Sequence, residues 1–205
     1  LKTRNFLNLY PSYFNINYLE KGISYSDGFF WRLDEDYKTK VRFLNIIKFF
    51  YKIKSDVEIH FFDNEHNFLN KIKFTENKLH YDIVITKKIV KKKGYGVFYI
   101  FHKSSKKFNS IIRNSCYVGY SFKNSIYSYV HGNTPTSKAN IKNKKKLETN
   151  VSSLSFFRKK YIVQNNFNNK KIQIMFQNSL PITQKININE KKFIVKKGHT
   201  KLLLI

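Results

Sequence analysis

The chain has 205 residues and a formal net charge of +26, and 41% of it is hydrophobic, including 20 Phe and 14 Tyr. That apolar content excludes a disordered tail in spite of the charge, and the length suits one generous domain with a real core. Cys116 is the only cysteine, which excludes an intrachain disulfide and a Cys-based zinc site made from this chain alone.

The charge points first to nucleic acid or another anionic surface. Only five of the basic residues are arginines, however: Arg4, Arg32, Arg42, Arg113 and Arg158. Arginine is the residue suited to bidentate recognition of phosphates and bases. Lysine shares A/T-rich codons with the abundant Asn, Ile, Phe and Tyr, so genomic base composition accounts for much of the lysine without a polyanionic ligand. Leu1-Lys2-Thr3-Arg4-Asn5 has neither an initiator Met nor the apolar core of a secretory signal. This points to a truncated or processed start and a cytoplasmic location. No run approaches the about 18–20 apolar residues of a membrane span.

In chain order, residues 1–24 read as an irregular aromatic segment broken at Tyr10-Pro11. Ser24 to Gly28 is a turn cluster leading into Phe29-Phe30-Trp31-Arg32, and an acidic patch follows at Asp34-Glu35-Asp36. Val41–Tyr51 is nearly continuous apolar sequence, for which periodicity does not separate helix from strand. From Asp56 the period is two: Val57, Ile59 and Phe61 alternate with Glu58 and His60, and Asp63–Asn67 forms a loop. Ile72 and Phe74 return as the second arm of a hairpin. Tyr81, Ile83 and Ile85 make a third strand, and Lys91–Gly94 a turn. Tyr95–Phe101 is apolar on both faces, as in a central strand covered on two sides.

Cys116–Phe122 and Ser125–His131 read as paired strands joined at Lys123-Asn124-Ser125 and carrying Tyr117, Tyr120, Tyr127 and Tyr129. Residues of about 134–150 offer almost nothing to bury and read as a mobile basic loop. Alternation resumes at Ile172, Ile174 and Phe176, again at Ile182, Ile186 and Ile188, and ends with Phe193–Val195 and Leu202–Ile205. Short strands at near-regular spacing predict an all-β fold. The expected form is a single antiparallel, jelly-roll-like β-sandwich over 25–205 with little helix.

The six histidines lack the His-x-His spacing of a metal-binding β-sandwich, so no metal and no cofactor is expected. His102 and His131 end strands and read as structural or solvent-facing residues. Cys116 would be a nucleophile beside His131 only if it were exposed, and a buried inert thiol is the commoner fate. His131-Gly132-Asn133 reads as a strand-to-loop corner whose side chains can offer hydrogen-bond partners at the rim of a sheet. Exposed tyrosines at this density stack on sugars or bases. The candidate ligand face is therefore Trp31, Arg32, Tyr117, Tyr120, Tyr129, His131 and Asn133. Lys138, Lys142, Lys144, Lys145 and Lys146 are candidate anion contacts on a solvated loop. Gly94-Tyr95-Gly96 is no nucleotide loop, because no Lys-Ser/Thr and no helix pattern follows it.

Three segments carry a resemblance: Ser26-Asp27-Gly28-Phe29-Phe30-Trp31-Arg32; Tyr117-Val118-Gly119-Tyr120 with Tyr129-Val130-His131-Gly132-Asn133; and Tyr161–Gln164 with the later Asn178 and Gly198 turns. Together, over about 24–205, they resemble an uncharacterised bacterial β-sandwich family associated with surface-polysaccharide biosynthesis loci. That family reads Ser-Asp-x-Phe-x-Trp-Arg, Gly-Tyr-x-Gly-Tyr and Phe-Val-His-Gly-Asn. Here Ser115-Cys116 stands in place of its Arg-Gly, and Thr134-Pro135-Thr136 in place of its Leu-Asp-Ala. The resemblance implies a fold and a glycan-related context, with a glycan or a glycan-biosynthesis protein as partner, and brings no activity with it. The expected function is a non-catalytic binding or accessory protein. The alternative is a basic RNA-binding or ribosome-associated protein of an AT-rich genome, and an enzyme using His102, His131 or Cys116 ranks last. Oligomeric state is left open.

Overall fold

The computed structural model describes residues 23–76, 78–104, 116–131, 136–141, 148–151, 172–178, 182–188 and 190–204. Fifteen strands and two short helices occupy them: β1 (Ile23–Asp27), β2 (Phe29–Leu33), β3 (Tyr37–Leu44), α1 (Ile46–Tyr51), β4 (Ser55–Asp63), β5 (Phe68–Phe74), β6 (His80–Ile85), α2 (Lys87–Val90), β7 (Gly94–Ser104), β8 (Cys116–Phe122), β9 (Ser128–Val130), β10 (Thr136–Ile141), β11 (Glu148–Val151), β12 (Gln173–Gln177), β13 (Gln184–Ile188), β14 (Lys191–Val195) and β15 (Thr200–Leu204). All strand pairings among them are antiparallel.

Two four-stranded sheets, β2-β7-β4-β5 and β6-β3-β8-β9, form the sandwich. The inner residues of the first, Phe29, Trp31, Val57, Ile59, Phe61, Phe98 and Ile100, meet Val41, Phe43, Tyr81, Ile85, Cys116 and Val118 of the second in one buried cluster. The period-two pattern of these strands is the cause, since alternate side chains share a face and one face must leave water. β7 lies between β2 and β4 and is buried along Gly96–His102, because its other face holds a second cluster of Phe62, Val97, Tyr99 and Phe101. The reading of Tyr95–Phe101 as a doubly covered central strand holds.

The ambiguous Val41–Tyr51 run is both things in succession. β3 ends at Leu44, and buried Asn45 caps α1 by accepting from the Lys48 N–H with its side chain. The acidic patch makes a tight turn: Glu35 and Asp36 have φ of 45° and 65°, and the Tyr37 N–H donates to the Asp34 carbonyl at 2.7 Å. This turn carries the chain from one sheet to the other.

The segment of about 134–150, expected as a mobile loop, contributes Thr136–Ile141 and Glu148–Val151 as strands of a β1-β10-β11 sheet. Backbone pairing, such as Ser26 opposite Lys138, needs no apolar side chain, so composition did not signal it. Lys142, Lys144, Lys145 and Lys146, the Tyr161–Gln164 motif and residues 1–22 of the irregular N-terminal segment lie outside the described residues. β12-β15 and β13-β14 are separate two-stranded ladders.

Candidate functional site

The predicted ligand residues divide between the interior and one solvent-facing sheet surface. Trp31 is fully buried, and its Nε1–H donates to the Phe62 carbonyl at 2.8 Å. That carbonyl sits at a register shift in β4, directly over Gly96, where a Cβ would lie 2.1 Å from the Phe62 oxygen. Trp31 and Gly96 thus hold two strands in unusually close approach.

Arg32 is also interior. Its Nε donates to Asp34 at 2.6 Å, its Nη2 to Glu35 at 3.1 Å and its Nη1 to Gln173, and its guanidinium lies 3.7 Å from the Tyr37 ring centre. Asp34 and Glu35 of the acidic patch thus neutralise this buried cation. Tyr120 lines the same cleft of about 290 Å³, with Phe30, Val130 and Met175. Its hydroxyl donates to the Phe30 carbonyl at 3.1 Å, and burial raises its pKa, so it stays a neutral donor. Trp31 therefore lies in the core and Arg32 and Tyr120 line a cleft, so the three do not share the open sheet face of Tyr117 and His131. Ser26 of the same motif receives the Ile100 N–H at 2.7 Å and is buried as well. Polar residues inside a strand motif read from sequence as surface, and only tertiary pairing shows otherwise.

Tyr117, Tyr129 and His131 do come together. The turn after β8 has φ of 46° at Lys123 and 60° at Asn124, and the Ser125 N–H donates to the Phe122 carbonyl at 2.9 Å. Both central residues are left-handed, the geometry that suits a tight hairpin. The pairing Val118–Val130 and Gly119–Tyr129 puts buried Val118 and half-exposed Val130 on one side of the hairpin and Tyr117, Tyr129 and His131 on the other. His131 packs edge-on against Tyr117 at 5.4 Å, and Tyr129 lies 6.3 Å from Tyr127. The Tyr129 ring covers Gly119, where a Cβ would sit 2.7 Å from its Cε1, so glycine is what allows the ring to lie flat on the sheet.

Two residues missed by the sequence reading complete this face. β3 presents Lys40 and Arg42 outward, opposite Gly119 and Tyr117. The Arg42 guanidinium stands 4.9 Å from the Tyr129 ring centre, and the Lys40 ammonium 5.8 Å from that of Tyr127, both within cation–π range. Both cations bind Asp82 of β6, at 3.1 Å from Lys40 and 3.0 Å from Arg42, and together they hold its carboxyl below its ordinary pKa against the effect of burial. The signal was present in the alternation Lys38, Lys40, Arg42 against Thr39, Val41, Phe43. Treating Val41–Tyr51 as one run hid it.

The nucleophile pairing fails. Cys116 faces the core, fully buried, and burial pushes its thiol pKa well up, while His131 faces solvent. His102 is buried in β7 of the other sheet, opposite Val57. Asn133 lies outside the described residues, and Lys138 lies in β10. Among the described residues no three His, Cys, Asp or Glu side chains could hold a metal ion, and no helix is long and apolar enough to cross a membrane. No protein-family model matches the chain, and neither a curated protein nor a solved structure matches it.

Proposed function

We propose that the protein is a non-catalytic β-sandwich module that binds a glycan on the outer face of β6-β3-β8-β9, as an accessory protein of surface-polysaccharide metabolism. The observation that carries this reading is the convergence of Tyr117, Tyr127, Tyr129 and His131 on one open sheet surface. Tyr117 is 55% exposed there, its ring available to stack on the apolar face of a sugar, and the phenolic and imidazole groups can hydrogen-bond its hydroxyls. Such a face supplies stacking and hydrogen bonds but no paired general acid and base, which is why binding is favoured over turnover.

The runner-up is single-stranded RNA, favoured by Lys40 and Arg42 among the same rings. Asp82 already engages both cations, so ring surface rather than free charge is what the face chiefly offers. The test is an oligosaccharide array followed by titration of the best ligand against the parent and a Tyr117→Ala/Tyr129→Ala double variant. Loss of about 1–3 kcal/mol per stacked ring is expected. An array without a ligand, together with RNA binding that collapses as salt rises, would replace the glycan with RNA.

A further inference from the structure

A second exposed surface lies at the end of the sandwich, on α1 and its flanks. Ile46 and Ile47 are buried and root the helix, whereas Phe50 is 68% and Phe49 41% exposed. Leu44, Tyr51 and Leu79 are exposed beside them. Leu79 is brought there because its carbonyl accepts from the Asn45 N–H at 2.8 Å. Large apolar side chains exposed this close together mark an interaction surface.

The aromatic pair is held out by a built support. Fully buried Asn45 accepts from Ser55 Oγ at 2.6 Å and donates to the Ser55 carbonyl at 3.2 Å, which ties the two ends of the α1 segment together. Lys52 closes the helix in the left-handed region at φ 56°, and its N–H donates to the Lys48 carbonyl. The Phe49 and Phe50 rings brace each other edge-to-face at 4.9 Å.

The electrostatics select the occupant. From Tyr37 to Ser55 the chain contains no Asp or Glu, while Lys48 lies in the last turn of α1, Lys52 at its C-cap and Lys54 two residues beyond. The Lys52 ammonium stands 5.7 Å from the Phe49 ring centre. Beyond Ser55, Asp56 is engaged with Lys73 at 2.9 Å and Glu76 with Lys78. Exposed aromatic rings on a helix that carries and is followed by lysines, in a strongly basic protein, match an anionic lipid surface: the rings enter the interface, while the lysines stay among the headgroups on their apolar stems. We propose that α1 is a membrane-docking tip that inserts Phe49 and Phe50 into anionic bilayers.

The test uses the whole chain and sucrose-loaded vesicles, either phosphatidylcholine alone or with about one-third phosphatidylglycerol. The expected result is sedimentation with the anionic vesicles and not with the neutral ones. Phe49→Ser/Phe50→Ser keeps the net charge and should weaken binding about tenfold or more. Because +26 alone attracts anionic vesicles, a second variant separates insertion from adhesion. Phe50→Trp places a reporter at the tip, with buried Trp31 as the only other indole. Its emission should shift to the blue on anionic vesicles and be quenched by brominated lipid. Absence of sedimentation by the parent chain, undiminished sedimentation of the double Ser variant, or an unshifted Phe50→Trp emission on sedimenting protein would each overturn the proposal. A change of sedimentation coefficient in the double Ser variant without vesicles would overturn it too, in favour of a second copy of the chain as occupant.

Discussion

The two large sheets have outer faces written in similar residues but used in opposite ways. On β2-β7-β4-β5, the central outward side chains of β4 and β7, Glu58, His60, Phe62, Val97, Tyr99 and Phe101, are buried. Glu58 receives the His60 Nε2 at 3.0 Å, Lys103 at 3.0 Å and Lys71 at 3.6 Å. Tyr99 accepts from Gln177 Nε2 at 3.0 Å, so a C-terminal strand reaches across to this face. On β6-β3-β8-β9, tyrosines, a histidine and basic residues recur in the same alternation, yet Tyr117, Arg42 and His131 stay open to solvent. Covered aromatics are therefore structural, and uncovered ones meet solvent. The difference lies in what packs above each sheet, not in the strands themselves.

The largest contrast should come from the same substitution on the two faces. Tyr99→Ala removes a fully packed ring and leaves Gln177 without its partner, and should cost about 3–5 kcal/mol in denaturant unfolding. Tyr117→Ala should change stability by about half a kcal/mol or less. Equal costs would mean that the two faces are covered alike.

Acid should act on the covered face. The His60 hydrogen bond, followed by the hydrogen bond and charge of Lys103 and the charge of Lys71, lowers the Glu58 pKa from 4.5 to about 2 against the opposing effect of burial. A carboxylate whose folded pKa is depressed contributes its stability above the ordinary pKa and loses it as pH falls through the folded value. The loss should therefore develop between pH 4.5 and about 2, amounting to about 2 kcal/mol once solvent screening at the lysines is discounted. Glu58→Gln should flatten that slope while lowering stability at neutral pH. Parallel pH profiles for parent and variant would show that the cluster does not set acid stability.

The smallest change sharpens the open face. Gly119→Val forces the Tyr129 ring off the sheet, but the ring has solvent to move into, so stability should fall by about 1 kcal/mol or less. Glycan affinity should fall with it, and the Tyr129 ring resonances should shift. An unshifted ring would mean that the sheet gives way instead.

Much of the architecture was legible because side-chain period and backbone geometry are one fact: Val57-Ile59-Phe61 and Tyr81-Ile83-Ile85 each set their apolar side chains on one face. The candidate site was legible only in part. Tyr117, Tyr129 and His131 share a parity along two paired strands, so pairing alone put them together. Trp31, Arg32 and Tyr120 looked equally suited to a ligand, and nothing local marks a Trp whose Nε1 meets a carbonyl 31 residues away or an Arg met by Gln173. Thr136–Ile141 looked like a loop because its strand character comes from the partner's backbone. The sequence by itself determined the all-β class, the position of most strands and the double burial of β7. Tertiary structure alone decided which sheet face is covered and which tyrosines are free. The reason is physical: alternation sorts side chains into two faces, and only non-local packing decides which face meets water.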